Sequence, residues 1–212
     1  MTWYVKFRAL RASGLTEDAQ LIWTWMQALT PLDASLSLWR PTNRSRTHAY
    51  ASPPITLDQL TTRIQREQAT SEFPFFTCFP AFVGTINGQE AGVSLTFGLP
   101  NPREMVISLD GGAQLSAAID ASEDLADALM RTSATVLNPT IGALGRFDLG
   151  HDMYGGGPTP FQAGPGWKMY FATASPHHDR AHQLATRTET LPNGTLMTFG
   201  TPTTYPDILN QW

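Results

Sequence analysis

Asp148, His151 and Asp152 fall within five residues, and Tyr154 follows them, so one short stretch carries two carboxylates, an imidazole and a phenol. Such groups suit a metal ion or an acid/base pair, since His and Asp are common ligands and proton carriers. A fixed metal geometry needs more ligands at set spacing, and the sequence has neither His-Glu-x-x-His nor a paired Cys/His pattern. The expectation is therefore no metal, no cofactor and no catalytic residues. Asp148, His151, Asp152 and Tyr154 then pin a loop and offer a partner an acceptor and an amphipathic ring. The alternative is a small metal-dependent or hydrolytic enzyme using the Asp/His cluster at 148–152.

Other reactive groups are weaker. Cys78 sits in Phe-Pro-Phe-Phe-Thr-Cys-Phe-Pro, and burial among aromatics raises a thiol pKa and makes it inert. Gly155-Gly156-Gly157 lacks the Lys-Ser/Thr of a phosphate loop, and Pro158 removes an N–H. There is no Gly-x-Ser-x-Gly elbow. His178 and His182 form an i,i+4 pair if that segment is helical, which Pro176 and the short run weaken.

Asp120, Glu123, Asp124 and Asp127 gather at the start of one helical pattern. Acids in a first turn are stabilising there, which accounts for several of them. Asp127 lies beyond that turn, so Asp124 and Asp127 are read as an acidic edge that meets a basic partner. Trp39 with Arg40, Arg44 and Arg46 is either an anchor in a Pro-rich loop or a core Trp among solvated arginines.

The elements that must position these groups follow from periodicity. Residues 3–10 alternate as a half-buried strand with Trp3, Val5, Phe7 and Ala9 on one face. A helix runs from about Glu17 to Leu29, with Thr16 as N-cap, and Thr56-x-x-Gln59 opens a second over Leu57 to about Ala69. Residues 31–54 read as irregular. Ala81–Ile86 and Gln89–Phe97 flank Asn87-Gly88, the strongest hairpin signal in the chain. Met105, Ile107 and Leu109 make another strand, and a third helix spans about Ser122 to Leu137. Ile141–Phe147 and Trp167–Ala174 are strands around a Gly/Pro-rich loop at 150–166, with Trp167, Met169 and Phe171 on the core face. That loop holds six Gly and three Pro and cannot be regular. Residues 183–191 alternate and pair through Asn193-Gly194 with Thr195–Phe199, and the tail ending in Trp212 packs back on the body. The pattern is α+β: a largely antiparallel sheet with about three helices, in a single domain over 1–212.

With 42% hydrophobic and 15% charged residues and a net charge of -4, the chain favours neither nucleic acid nor an anionic membrane as a direct partner. One cysteine allows no internal disulfide. The N-terminal alternation lacks the apolar run of a signal peptide, and no run reaches the length of a membrane span. The expected setting is soluble and cytoplasmic.

The order of segments carries a resemblance. A first helix with Trp23-x-Trp25 is followed by LTPLDASLSLW and Ser45-Arg46, then helix two and the NG hairpin. PTIGALGRF, HDMYGG, PGWKMYF and NGTLMTFGTP complete the series. This order resembles the immunity protein fifty-two family of bacterial polymorphic toxin systems, from the first helix to about Thr201. The resemblance implies an α+β inhibitor encoded beside a toxin, often a nuclease, and a function of binding without catalytic residues. The expected partner is a cognate toxin domain. A moderately acidic inhibitor also suits a basic, nucleic-acid-binding toxin.

Overall fold

The computed structural model describes residues 2–10, 14–42, 46–70, 77–78, 82–101, 104–150 and 165–212. Ten strands form one sheet among them. These are β1 (Trp3–Leu10), β2 (Trp39–Pro41), β3 (Thr77–Cys78), β4 (Phe82–Ile86), β5 (Gln89–Asn101), β6 (Glu104–Asp110), β7 (Pro139–Arg146), β8 (Lys168–Ala172), β9 (Arg187–Leu191) and β10 (Gly194–Thr198). The order is β2-β4-β5-β6-β1-β7-β8-β10-β9, with β3 on β5, and every pairing is antiparallel. The first strand thus ends at the centre, between β6 and β7.

Register fixes two faces. Leu95, Leu109, Val5, Leu144, Lys168, Thr198 and Arg187 make one continuous row across β5, β6, β1, β7, β8, β10 and β9. The neighbouring row runs Ile107, Phe7, Gly142, Tyr170, Leu196 and Glu189. Both rows begin apolar and end charged. A Cβ on Gly142 would lie 2.3 Å from the Phe7 ring, so the Phe7 side chain needs a glycine opposite.

Helices cover this inner face. α1 (Leu15–Leu29) buries Ala19, Ile22, Trp25, Met26 and Leu29, one stripe at three- and four-residue spacing. It packs on α3 (Leu57–Thr70) and α5 (Glu123–Leu137), and α5 lies on β7 and β8. The Trp25 indole N–H donates to Ser133 Oγ at 2.9 Å, tying α1 to α5 through a buried polar contact. α4 (Gly112–Ala121) sits over β5 and β1 and buries Leu115 and Ile119. Trp3 holds it twice: the backbone N–H donates to Ser116 Oγ at 3.0 Å and the indole N–H to Asp120 at 2.9 Å.

The outer face is covered unevenly. α7 (His178–Leu184) packs on β10, α8 (Tyr205–Leu209) lies in the C-terminal tail, and Trp212 stacks on Phe171 with centroids 6.0 Å apart. The tail does pack back. Behind β5, β6 and β1 the outward residues Ser94, Thr96, Ser108, Asp110, Lys6 and Arg8 are all half-buried.

Several expectations need correction. About three helices undercounts the eight found among the described residues. Four of them, α2 (Arg46–Ala51), α6 (Phe147–Gly150), α7 and α8, have four to seven residues, too few to show a period. α4 has no side-chain N-cap and starts on Gly112, at φ 46°, so its sequence reads as a turn. Residues 31–54 hold a 3₁₀ turn at Ala34–Leu36, β2 and α2. The N-cap of α1 is Gly14, whose extended backbone leaves Thr16 inside the helix. Residues 183–186 close α7 and lead into the strand, which starts at Arg187. Asn193-Gly194 is not the turn: Leu191 pairs with Gly194, so Pro192-Asn193 is central. Gly194 is required by packing, since a Cβ there would lie 2.6 Å from the Tyr170 hydroxyl. Asn87-Gly88 does form its hairpin, with φ of 51° and 76°, as a tight primed turn demands.

No helix among the described residues is long and apolar enough to cross a membrane.

Candidate functional site

Asp148 lies in the first turn of α6, directly after β7, with an exposed side chain. Arg146 meets it with both arms of its guanidinium, Nε at 3.0 Å and Nη2 at 2.5 Å. That pairing holds the Asp148 carboxyl below the usual carboxylate range. A carboxylate clamped in this way is a poor proton acceptor and has its lone pairs partly used. Arg146 is itself buried, and its backbone N–H donates to the Tyr205 hydroxyl at 3.0 Å, so α8 props this corner.

His151, Asp152 and Tyr154 lie outside the described residues. The two flanks of their segment are described, and they converge on Tyr4. The Phe147 ring packs on the Tyr4 ring with centroids 5.0 Å apart, and the Phe147 N–H donates to the Thr2 carbonyl at 3.0 Å. The Tyr4 hydroxyl donates to the Pro165 carbonyl. Gly145 is needed there, because a Cβ would come within 2.4 Å of that same carbonyl. Phe147 remains 40% exposed, one of the few large apolar side chains so open among the described residues.

The acidic start of α5 divides into two uses. Ser122 is the N-cap and accepts from the Leu125 N–H at 3.2 Å. Asp124 is exposed, while Asp120 is taken by Trp3. Glu123 reaches Lys168 Nζ at 2.8 Å and Arg187 at 3.1 Å. Asp127 corrects the reading of a free acidic edge. It is buried, 2.6 Å from Lys168 Nζ and paired with Arg187, so its charge is consumed within the chain. One turn on, Arg131 grips Glu189 at 2.7 and 2.9 Å, which raises the Arg131 pKa and lowers that of Glu189.

Placing Trp167 with Met169 and Phe171 on one core face is half right. All three are buried, but so are Lys168 and Tyr170, because helices cover one side of β8 and the C-terminal segment the other. Trp39 is a core residue, and Arg40 donates to Thr85 Oγ1 at 3.2 Å. His178 and His182 share α7 with ring centroids 6.2 Å apart, and His178 Nε2 lies 3.0 Å from Thr195 Oγ1. Among the described residues no group of three or more His, Cys, Asp and Glu stands ready to hold a metal.

Sequence reasoning missed one feature altogether. Tyr4, Lys6, Ser108, Asp110 and Phe147 line a depression of about 220 Å³ on the outer face. Alternation marks Tyr4 and Lys6 as outward, but only the β1–β6 register, Tyr4 against Asp110 and Lys6 against Ser108, brings the set together. Burial shifts both charged members toward neutrality: Lys6 is lowered and Asp110 raised.

No protein-family model matches the chain, and no curated protein matches its sequence. Among solved structures it is similar to the Pseudomonas aeruginosa T6SS protein PA0821, with a TM-score of 0.47 and 8% identity, over 92% of this chain and 67% of that one.

Proposed function

We propose that the chain is a cytoplasmic immunity protein that binds a cognate bacterial toxin, a nuclease effector, and neutralises it by occlusion. The order of motifs from Trp23 to Thr201 supports this reading. The structural observation that carries it is the polar, half-buried outer face of β5, β6 and β1. Phe147 stands open at its margin, where the flanks of the 151–164 segment meet. Aromatic rings at a polar, partly open face are what protein interfaces enrich.

Asp124, Asp148, His151, Asp152 and Tyr154 are the residues we assign to the partner. Asp124 supplies exposed negative charge for a basic toxin, and Tyr154 an anchor. Asp127 is withdrawn from that set by its pairing with Lys168 and Arg187.

The test is co-expression with the toxin domain encoded next to this chain. Restored growth, with the two proteins co-purifying as a complex, is the expected result. No protection and no complex with a toxin that is itself active would refute the reading.

A further inference from the structure

Going beyond that reading, the outer face holds a cation with no hydrogen-bond acceptor among the described residues, attracted from a distance by Asp110 in the same depression. Lys6 is half-buried, yet among the described residues no acceptor lies within hydrogen-bond distance of its ammonium. Its neighbours are engaged. Arg8 pairs with Glu104, Asp148 with Arg146, and Asp110 accepts from Ser94 Oγ at 3.3 Å. Ser108 lies directly across from Lys6, with Thr96 beyond it. Tyr4 and Phe147 supply the aromatic wall. On β7 the facing residues are Ala143 and Gly145, which carry no charge.

We infer that this depression binds a carboxylate carried on an apolar stem. The Lys6 ammonium is its counter-charge, the Ser108 hydroxyl a donor, and the Tyr4 and Phe147 rings the wall for the stem. A half-desolvated ammonium without an acceptor gains more from an anion than a solvated one does. One cation beside one carboxylate, Asp110, suits a monoanion and disfavours a phosphate dianion. The volume of about 220 Å³ admits a short stem and little more. Asp110 opposes the ligand when ionised, and burial holds its pKa up, so binding strengthens as the pH falls through its titration. Protonation of Lys6, whose pKa burial lowers, acts in the same direction.

The experiment titrates the full chain, with labelled tyrosine, against two probes at constant ionic strength. The probes are sodium benzoate and a blocked acetyl-Gly-Glu-Gly-amide peptide, followed by NMR at the Tyr4 ring, which lines the depression and is present in every variant. A saturable shift with at least one probe is expected. It should disappear in Lys6→Met and persist in Lys6→Arg. In Asp110→Asn, affinity at neutral pH should rise by about three- to tenfold, with less dependence on pH. Saturation by benzoate alone identifies a free organic acid as the ligand class; saturation by the peptide identifies an acidic side chain of a protein. Absence of saturation with both probes, equal binding by Lys6→Met, or binding that fails to tighten on acidification while the probes remain ionised overturns the proposal. If Lys6→Met melts without a folded baseline, the Lys6→Arg and Asp110→Asn titrations still decide.

Discussion

The Lys168 ammonium, with none of its side chain exposed, lies 2.6 Å from the Asp127 carboxylate. Lys168 occupies the same cross-sheet row as Val5 and Leu144, so the sheet presents a cation where a core residue would stand. α5 answers it in register. Asp127 meets Lys168 and Arg187 from one row, and Arg131, four residues on, meets Glu189 from the next. One turn of helix thus matches the step between adjacent rows, and the ion pairs fix both the position and the rotation of α5 on the sheet.

The energetics of that seam are asymmetric. Asp127→Ala leaves the buried Lys168 with one carboxylate, the half-exposed Glu123, and should cost about 3–5 kcal/mol. Lys168→Met should cost less, since both acids keep Arg187 and the new side chain is apolar. Combining Lys168→Met with Asp127→Leu should recover much of the loss. Urea unfolding of the three variants checks the order; equal costs for the two single changes would contradict it.

Arg131 and Glu189 are 45% and 39% exposed, so their bidentate pair is worth at most about 1 kcal/mol at low salt. Arg131 depresses the Glu189 pKa, so this contribution is complete above the ordinary carboxylate range. It is lost as the pH falls through the lowered value of the folded protein. Melting curves of the parent and Arg131→Ala should therefore differ at neutral pH and converge in acid and in high salt.

Asp110 has the opposite sign. Burial raises its pKa, so the fold loses stability as the pH rises from the unfolded value through the raised one. Asp110→Asn removes that loss and keeps an acceptor for Ser94. At neutral pH the variant should be the more stable of the two, and the difference should shrink as the pH falls. A calorimetric pH series that shows no gain would contradict the assignment.

Local signals survived where local physics decides. Thr56 and Gln59 exchange their capping bonds at 3.3 and 3.1 Å, and Ser122 opens α5, because a cap depends on four residues. The α+β class and the antiparallel sheet were legible from alternation along β1 and β6 and from the Asn87-Gly88 turn. The place of β1 at the sheet centre was not, since strand order depends on long-range packing. Pro192 set a different turn from the one Asn193-Gly194 suggests, and the glycine served contact with Tyr170. Asp127 shows the limit most clearly: its partners Lys168 and Arg187 are distant in sequence, so spacing alone made it look like a surface acid.

Asp120, Glu123 and Asp124 are all exposed, but Asp120 already meets Trp3 and Glu123 meets Lys168, which leaves Asp124 as the residue to test. If a basic toxin is the partner, Asp124→Lys should slow association more than it speeds dissociation, and added salt should reduce the difference. Kinetics unchanged in a folded variant would confine Asp124 to favourable interaction with the helix N-terminus.

Tyr154 and Trp167 should separate binding from folding. Trp167 is buried, packs on Trp3 with centroids 5.7 Å apart, and its indole N–H donates to the Gly200 carbonyl at 3.3 Å. Lys168 Nζ also lies 4.3 Å from its ring centroid, next to the seam that seats α5. Trp167→Ala should therefore destabilise the protein by roughly 3–5 kcal/mol, as truncation of a core aromatic does. Tyr154 belongs to the segment whose flanks meet at Tyr4, beside the open Phe147 ring. As a partner anchor, Tyr154→Ala should weaken toxin binding by ~1–3 kcal/mol and leave the melting temperature nearly unchanged. The competing account is that Tyr154 only plugs its segment onto the sheet, in which case the same change lowers the melting temperature and spares affinity. A thermal scan of each variant beside a titration with the toxin domain separates the two. A stability loss at Tyr154 with intact affinity would remove this segment from the interface.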